Sequence, residues 1–300
     1  MALEEVLQAV PELHDAKSVD DLSGGLTNTN YKVVSPAGAF VVRIAGRDTE
    51  LLGIDRANEV HNTIAASETG IGAHVIASLP EHSALVLEFI AGARLHADEL
   101  RAGGERLAQV AEACRRLHAG RPFLRDFDMF DLQRRYLATV RGRGFRLPPH
   151  YLEVEPLVRS MEQAMRARPE RRVPCNNDLL AENFIDTGDG LRLIDYEYSG
   201  NNEPSFELGN SWSESRLTEG QLQELIAHYY GGPHASKVAR ARLWGVIAKY
   251  GWMLWASIQE GISEIDFDFW SWGLEKYERA LDELEGPQFR QLLEDVQRED

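Results

Sequence analysis

Two neighbouring stretches carry most of the information in this chain: Asn177-Asp178-Leu179-Leu180-Ala181-Glu182-Asn183 and Ile194-Asp195-Tyr196-Glu197-Tyr198. Four residues separate Asp178 from Asn183, and Asp195 closes a short apolar run. Phosphoryl transfer from ATP needs a carboxylate that accepts the hydroxyl proton, and it needs an amide oxygen and a second carboxylate that hold Mg²⁺ on the phosphates. Asp and Asn are also common in turns and helix caps, but the apolar run before Asp195 adds structural context to the spacing. The pattern therefore predicts a metal–nucleotide site.

Composition narrows the class of protein. A chain of 300 residues is long enough for two lobes and a sizeable core. Its formal net charge of −16 argues against a nucleic-acid or anionic-membrane partner. The same charge suits a protein that recruits Mg²⁺ and a cationic substrate, although it also serves solubility.

Targeting and redox signals point to the cytoplasm. The two cysteines, Cys114 and Cys175, have no CxxC spacing, so we expect neither a disulfide framework nor a zinc site. The N-terminal residues are acidic and have helical periodicity, unlike a signal peptide. No apolar stretch approaches the length of about 18 residues that spans a bilayer, and membrane insertion is not expected. The oligomeric state stays open.

The order of predicted elements indicates an α+β fold with two lobes. Residues 1–91 read as a small strand-rich lobe, with helices at 2–14 and 55–68 and strands at 31–34, 40–44, 73–79 and 84–89. A linker is expected near Gly92, and residues 92–300 form a mostly helical lobe. Its helices are predicted near 97–119, 128–141, 151–168, 204–214, 218–230, 235–260 and 266–296. The helices are interrupted by predicted strands at 172–176, 184–186 and 191–195. The residues expected to take part in the reaction lie on or beside these strands.

The nucleotide half of the site is expected in the strand-rich lobe. No G-x-x-x-x-G-K-[ST] motif occurs, but the Gly-containing loop at 23–30 could offer groups to phosphates, with Thr27, Asn28 and Asn30 as candidates. An ordinary hairpin connection is the alternative. Arg43 lies on a strand that resembles the one from which a kinase cation reaches the phosphates, and Glu59 is its predicted helix partner. Both could instead be surface charges.

The run at 85–90 would then be the hinge that reads adenine through backbone groups. Glu88 and Ile90 are its candidate residues.

From residue 173 to residue 210 the sequence resembles the choline/ethanolamine kinases, within the aminoglycoside-phosphotransferase-like branch of the protein-kinase-like fold. The resemblance is carried by residues 175–178 with Asn183, by 193–198, by Asn202 and by 206–210, and outside this region by 40–45, 54–59, 117–120, 252–259 and 265–267.

This resemblance implies ATP and Mg²⁺ as cofactors. It makes Asp178 the catalytic carboxylate, Asn183 and Asp195 the Mg²⁺ ligands, and Arg43 and Glu59 the phosphate-positioning pair. The chain departs from the family at two positions, with Asn176 where His is usual and Glu207 where Asp is usual. Glu207 puts the substrate geometry in doubt, because its side chain is one methylene longer.

The substrate half is expected in the aromatic C-terminal region, which holds all six tryptophans. A choline-like substrate has a quaternary ammonium, which proteins hold with aromatic faces and nearby carboxylates. The candidate substrate residues are Glu197, Tyr198, Glu207, Trp252, Trp255, Phe267 and Trp272. Core packing is the alternative for Trp252 and Trp255, and orientation of the metal site is the alternative for Glu197. A primary amine would favour the carboxylates over the aromatic rings.

The sequence therefore predicts an ATP- and Mg²⁺-dependent small-molecule kinase that phosphorylates choline or ethanolamine. A second hypothesis keeps the reaction but changes the acceptor to an aminoglycoside, thiamine or an amino sugar. A third is a catalytically silent kinase fold that serves as a binding module, and the intact Asp178, Asn183 and Asp195 argue against it. Protein kinase activity is not expected, because neither D-F-G nor A-P-E occurs at a suitable position.

Overall fold

The computed structural model describes residues 2–22, 25–46 and 48–299. A strand-rich N-terminal part precedes a mostly helical C-terminal part, which confirms the predicted two-lobed α+β architecture. The elements in chain order are α1 (Ala2–Ala9), β1 (Ser18–Leu22), β2 (Asn28–Ser35), β3 (Gly38–Ala45), α2 (Arg56–Glu68), β4 (Val75–Leu79), β5 (Ala84–Glu88), β6 (Ala93–Arg94), α3 (Ala97–Arg101), α4 (Glu105–His118), α5 (Met129–Arg143), α6 (Glu155–Ala167), β7 (Val173–Cys175), β8 (Phe184–Asp186), β9 (Leu191–Leu193), β10 (Gly200–Asn202), α7 (Pro204–Ser215), α8 (Glu219–Tyr230), α9 (Ala235–Ile262), α10 (Phe269–Leu284) and α11 (Phe289–Asp295).

The N-terminal lobe is an antiparallel sheet in the order β1-β2-β3-β5-β4. Phe40 and Val42, two residues apart on β3, are buried in a cluster that also holds Val6 of α1. Successive side chains of a strand point to opposite faces. Arg43 therefore projects away from this cluster, on the face that meets α2.

Helix α2 is fixed in position by its N-cap. The Asp55 side chain accepts hydrogen bonds from the backbone N–H groups of Ala57 at 3.0 Å and Asn58 at 3.1 Å, which satisfies donors that a helix start leaves unpaired. Glu59 lies in the first turn and is 2% exposed. The cap therefore sets the turn that brings Glu59 to Arg43.

The C-terminal lobe is built around α9, a helix of 28 residues that is buried over most of its length. Helices α5, α7 and α10 pack against it. Within this core the rings of Tyr151 and Tyr250 stack with their centroids 4.0 Å apart. The backbones of α7 and α9 come close at Gly209, where an added Cβ would overlap the carbonyl oxygen of Ala241.

Two small sheets position the two sequence motifs of the candidate site. One has the order β6-β8-β9 and the other pairs β10 with β7. The loop 176–183 leaves β7 and enters β8, and the loop 194–199 leaves β9 and enters β10. These short strands therefore hold the two sequence motifs side by side.

Several predicted elements differ from the structure. The predicted helix at 97–119 is divided at Gly103 and Gly104, whose φ values of 73° and 60° lie in the left-handed region and cannot continue a right-handed helix. The predicted helix at 266–296 is likewise divided near Pro287 into α10 and α11, and the helix at 2–14 ends at Ala9. The sequence did not predict β1, β6 and β10, and β6 and β10 are too short to show a period of two.

The strands change partners close to the proposed lobe boundary. β5 pairs within the N-terminal sheet, whereas β6 pairs with β8 of the C-terminal lobe. We therefore propose to keep the boundary between residues 91 and 92. Within the described ranges, no helix combines the length and the apolar character needed to cross a membrane.

Gly209→Ala tests the close approach of α7 and α9. The added Cβ would force the helices apart, and overpacking of this kind costs about 1–3 kcal/mol in the free energy of unfolding. Denaturant unfolding measures the loss. Gly220→Ala is the control, because Gly220 is exposed in the first turn of α8, where we expect equal or slightly higher stability. Equal stability of Gly209→Ala and the wild type would contradict this packing.

Candidate functional site

The loop 176–183 is held in a specific backbone shape. Asn177 has a φ of 67° and Asp195, in the adjacent loop, has a φ of 66°. Asn and Asp tolerate this left-handed region better than most residues. The side chain of Asn176 ties the two loops together, since its Nδ2 donates to the carbonyl oxygen of Asp195 at 2.6 Å and its Oδ1 accepts from the N–H of Asp178 at 3.0 Å. The Asn at the usual His position therefore makes an inter-loop link.

The loop is also anchored from beneath by Glu207 of α7. Its Oε1 accepts from the N–H of Asn177 at 2.6 Å, and its Oε2 is 3.0 Å from Nε2 of His118. Glu207 is completely buried, and a buried carboxylate is stable only where hydrogen bonds and charges satisfy it. Both of its oxygens are used inside the protein. In the structure Glu207 therefore anchors the loop, and the contact with substrate predicted for it stays a prediction.

Asp178 is half-buried and lines a cavity. Burial raises the pKa of its carboxyl well above the usual range, the carboxylates of Asp195, Glu214 and Glu197 raise it further, and the ammonium of Lys276 lowers it. A carboxylate with a raised pKa is a stronger proton acceptor.

Asn183 and Asp195 both line the candidate site. The Asn183 side chain donates through Nδ2 to the carbonyl oxygen of Asp178 at 2.8 Å, and the backbone N–H of Ile194 donates to the carbonyl oxygen of Asn183 at 3.0 Å. This orientation of the amide leaves its Oδ1 available. A carboxylate and an amide oxygen are the hard donors that Mg²⁺ prefers, with water and phosphate oxygens completing an octahedron. The donor set therefore fits Mg²⁺.

Arg43 reaches both lobes. Its Nη1 lies 2.7 Å from Oε1 of Glu59 and 2.9 Å from Oδ1 of Asp195. Burial alone would lower the pKa of the guanidinium, but Asp195 and Glu59 together raise it above its ordinary value. Arg43 therefore remains charged and carries a positive charge from the N-terminal sheet to the loop after β9.

A cavity of about 520 Å³ lies between the lobes. Its lining includes Arg43, Asn30 and Asp195 at one end and Glu88 and Ile90 of the predicted hinge. The volume falls in the range of pockets that take drug-sized ligands, about 300–1,000 Å³. The cavity therefore has room for a nucleotide.

A second cavity of about 140 Å³ lies next to the first. Asp178 and Asp195 lie in its wall together with four aromatic side chains: Tyr198, Trp252, Trp255 and Trp272. The indole N–H of Trp255 donates to the hydroxyl of Tyr198 at 2.8 Å, and the rings of Trp255 and Trp272 have centroids 5.4 Å apart. Trp252 and Trp255 are only 6% and 5% exposed. They are thus both core residues and cavity wall.

Sequence reasoning missed Glu214, which lines this small cavity. Its Oε2 is paired with the ammonium of Lys276, while its Oε1 is buried without a hydrogen-bond partner in the described part of the chain. Glu214 follows Asn210 by four residues on α7. That spacing places both on one helix face, and Asn210 Oδ1 accepts from the N–H of Leu179 in the loop 176–183 at 2.8 Å.

Glu197, Thr27 and Asn28 form a polar link between the lobes. Oε1 of Glu197 accepts from the Thr27 hydroxyl and Oε2 accepts from Nδ2 of Asn28, both at 2.8 Å. Burial and the neighbouring Asp195 raise the pKa of Glu197, and Arg43 and Arg56 oppose them. The side chains of Thr27 and Asn28, predicted to face phosphates, contact Glu197 and line the small cavity.

Phe267, predicted as a substrate residue, lies at the surface. It is 40% exposed, its ring packs on Phe269 with centroids 4.9 Å apart, and it is absent from the lining of both cavities. Its position after α9 places it outside the aromatic wall.

The comparisons with known proteins follow this geometry. The model of the family described as choline/ethanolamine kinase matches residues 19–223. The chain belongs to the choline/ethanolamine kinase family. It is 29% identical to ethanolamine kinase 2 of Mus musculus over 76% of this chain and 66% of that protein. The match thus spans slightly less than two thirds of the mouse protein.

Two solved structures cover nearly the whole chain. A choline/ethanolamine kinase family protein from Mesorhizobium loti is 29% identical, with a TM-score of 0.86 over 99% of both chains. The choline kinase LicA from Streptococcus pneumoniae is 25% identical, with a TM-score of 0.80 over 94% of this chain and 98% of that chain. LicA has also been solved in complex with AMP, and that structure gives a TM-score of 0.77 over 94% of this chain and 96% of that chain.

Glu207→Gln tests the anchoring role. A glutamine has one acceptor oxygen and therefore cannot accept from both Asn177 and His118, so we expect a loss of about 1–3 kcal/mol in the free energy of unfolding. Thermal and denaturant unfolding measure it. Glu278→Gln, at an exposed position of α10, should leave stability unchanged. Unchanged stability of Glu207→Gln together with altered amine binding would instead support the predicted contact of Glu207 with substrate.

Proposed function

We propose that this protein transfers the γ-phosphoryl group of MgATP to the hydroxyl of a small amino alcohol, choline or ethanolamine. The observation that carries the proposal is the junction of the two cavities: Asn183 and Asp195 line both of them, and Asp178 lines the smaller. A phosphoryl group leaving a nucleotide in the larger cavity would therefore meet an acceptor in the smaller cavity beside a carboxylate.

The chain's own residues have distinct roles in this proposal. Asp178 would accept the hydroxyl proton, and its raised pKa suits it to that role. Arg43, oriented by Glu59, would bind phosphate oxygens, while Glu88 and Ile90 would lie along the adenine. Asn183 and Asp195 would hold Mg²⁺, which when bound neutralises charge on the phosphates. The LicA complex with AMP supports nucleotide binding in this family.

The acceptor cavity favours a small cation. At about 140 Å³ it is below the usual range for drug-sized ligands, which argues against an aminoglycoside. Its aromatic wall would hold a quaternary ammonium through cation–π contacts. Oε1 of Glu214 has no hydrogen-bond partner in the described part of the chain and supplies negative charge to the cavity. This charge would attract a quaternary ammonium, which has no N–H group to donate. We therefore propose that choline is used at least as well as ethanolamine.

A cytoplasmic location is proposed as well. Cys114 and Cys175 are buried free thiols, as expected in a reducing compartment.

The direct test is ADP release from MgATP in the presence of a panel of amino alcohols, with the mass of each product. The panel contains choline, ethanolamine, thiamine, an amino sugar and an aminoglycoside. Phosphorylated choline or ethanolamine as the main product supports the proposal. ATP binding without turnover of any acceptor would favour the silent binding module.

Asp178→Asn should bind nucleotide nearly as well as the wild type but turn over more slowly by a factor of about 10²–10⁴, the range for a lost general base. Steady-state turnover and nucleotide titration measure the two effects separately. Asp189→Asn, in the exposed turn before β9, is the matched control and should keep full activity. Near-normal turnover of Asp178→Asn would show that another group accepts the proton.

Trp252→Ala tests the aromatic wall. A desolvated cation–π contact contributes about 2 kcal/mol, so its loss should raise the KM for choline by a factor of roughly 30 and change the KM for MgATP little. Trp252→Phe keeps an aromatic face, so its KM for choline should lie between those of the wild type and Trp252→Ala. If Trp252 acts only in the core, Trp252→Ala should instead lose about 3–5 kcal/mol in the free energy of unfolding, and choline and MgATP kinetics should change together.

Glu214→Gln in the same assay probes the carboxylate. It removes the charge but keeps the aromatic rings, so the KM for ethanolamine should rise more than the KM for choline. Equal changes for both amines would show that Glu214 does not distinguish them.

A further inference from the structure

A third cavity, of about 410 Å³, is lined by residues of α7, α9 and α10, three helices that also contribute to the acceptor cavity. The two cavities have no lining residue in common. Lys249 precedes Trp252 by three residues on α9, and Arg279 follows Lys276 by three on α10. Trp212 of α7 and Arg216, which follows the end of α7, flank Glu214 in the sequence. The two cavities are therefore neighbouring layers of one helix bundle.

The third cavity is basic in an acidic protein. Arg216, Arg242, Lys249 and Arg279 line it, although the whole chain has a formal net charge of −16. Two carboxylates, Asp282 and Glu283, also line it. This lining therefore carries a net charge of about +2 when every group is ionised, counting four cations and two anions.

Some of these charges are already paired. Glu283 lies 2.8 Å from Nη2 of Arg242, and Glu275 lies 2.8 Å from Nη2 of Arg216. Arg279 donates to the carbonyl oxygen of Ser213 at 2.7 Å and has a long contact with Glu275 at 3.5 Å.

Lys249 is different. The residue is 2% exposed, and among the described residues no carboxylate lies within ion-pair distance of its ammonium. Its nearest recorded partner is the ring of Trp212, 5.1 Å from Nζ to the centroid. Burial lowers the pKa of Lys249 to about 8; Arg279 and Lys276 lower it as well, and Glu283 and Glu214 oppose them. A buried ammonium without a counter-ion is costly.

Two further donors in the same wall have no acceptor. Nε1 of Trp212 and Nε of Arg242 are buried without a hydrogen-bond partner in the described part of the chain. Buried donors are normally satisfied. Trp212 and Arg242, whose Nε1 and Nε have no hydrogen-bond partner in the described part of the chain, line the same cavity as Lys249. A basic lining of this kind favours a ligand that accepts hydrogen bonds and carries negative charge.

We propose that this cavity binds the phosphate group of a small molecule, at a site separate from the nucleotide and acceptor cavities. A phosphate group brings negative charge and several acceptor oxygens to a lining that contains Lys249 and three arginines. The ligand is either inorganic phosphate or a phosphate monoester. The monoester is included because the cavity is larger than phosphate alone requires. Asp282, which has no ion-pair partner among the described residues, would favour an ester that also carries an ammonium group.

The test is the rise in melting temperature with added sodium phosphate, at constant ionic strength set by chloride, without nucleotide or amine. Lys249→Met keeps the length of the side chain and removes its charge. We expect it to fold with equal or higher stability in chloride, because an unpaired buried charge is gone, and to bind phosphate at least tenfold more weakly by isothermal titration calorimetry. Lys17→Met, at an exposed position, controls for net charge and should behave as the wild type.

A parallel titration with phosphoethanolamine separates the two sources. Tighter binding of the ester than of phosphate, lost in Lys249→Met, identifies a phosphate monoester as the ligand, whereas equal binding identifies inorganic phosphate. Binding of both by Lys249→Met as by the wild type would overturn the proposal. So would a lower melting temperature of Lys249→Met in chloride with unchanged phosphate affinity, since Lys249 would then be a structural cation.

Discussion

The ion pairs of Arg43 are the interaction on which the arrangement of the site depends. One guanidinium bridges Glu59 of α2 and Asp195 of the loop after β9, at 2.7 and 2.9 Å. It therefore connects the N-terminal sheet to the part of the C-terminal lobe that carries Asp195. Breaking a buried pair by removing one partner is costly, because it leaves the other charge uncompensated. The two cavities consequently share a wall whose position is fixed by charge rather than by apolar packing alone.

The parts of the site that the sequence predicted are those encoded locally. Asp178 and Asn183 lie in one loop, and Asp195 follows an apolar strand, so residue type and spacing carried the information. Arg43 and Glu59 were predicted from their places on a strand and in the first turn of a helix. The two-lobed fold followed from the order of strands and helices. Short strands such as β6 and β10 were not predictable, because their pairing depends on partners far along the chain.

Residues that act across long sequence separations give weaker signals in the sequence. Glu207 was predicted as a carboxylate near the amine, whereas in the structure its oxygens contact Asn177 and His118. Glu214 was missed for a related reason. A carboxylate on a largely buried helix gives no local pattern that distinguishes an anchor from a ligand, and only the fold shows which cavity it lines.

Under the proposed function, the charge distribution of the smaller cavity links substrate choice to catalysis. Asp178, Asp195, Glu197 and Glu214 all line this cavity, and Lys276 pairs with Glu214. Their mutual repulsion contributes to the raised pKa of Asp178. A cationic acceptor adds positive charge beside these carboxylates, and a nearby positive charge lowers the pKa of a carboxyl group. Under the proposed function, an amine substrate would therefore help to ionise the base that acts on its own hydroxyl, whereas a neutral alcohol of the same size would leave that base protonated over a wider range of pH.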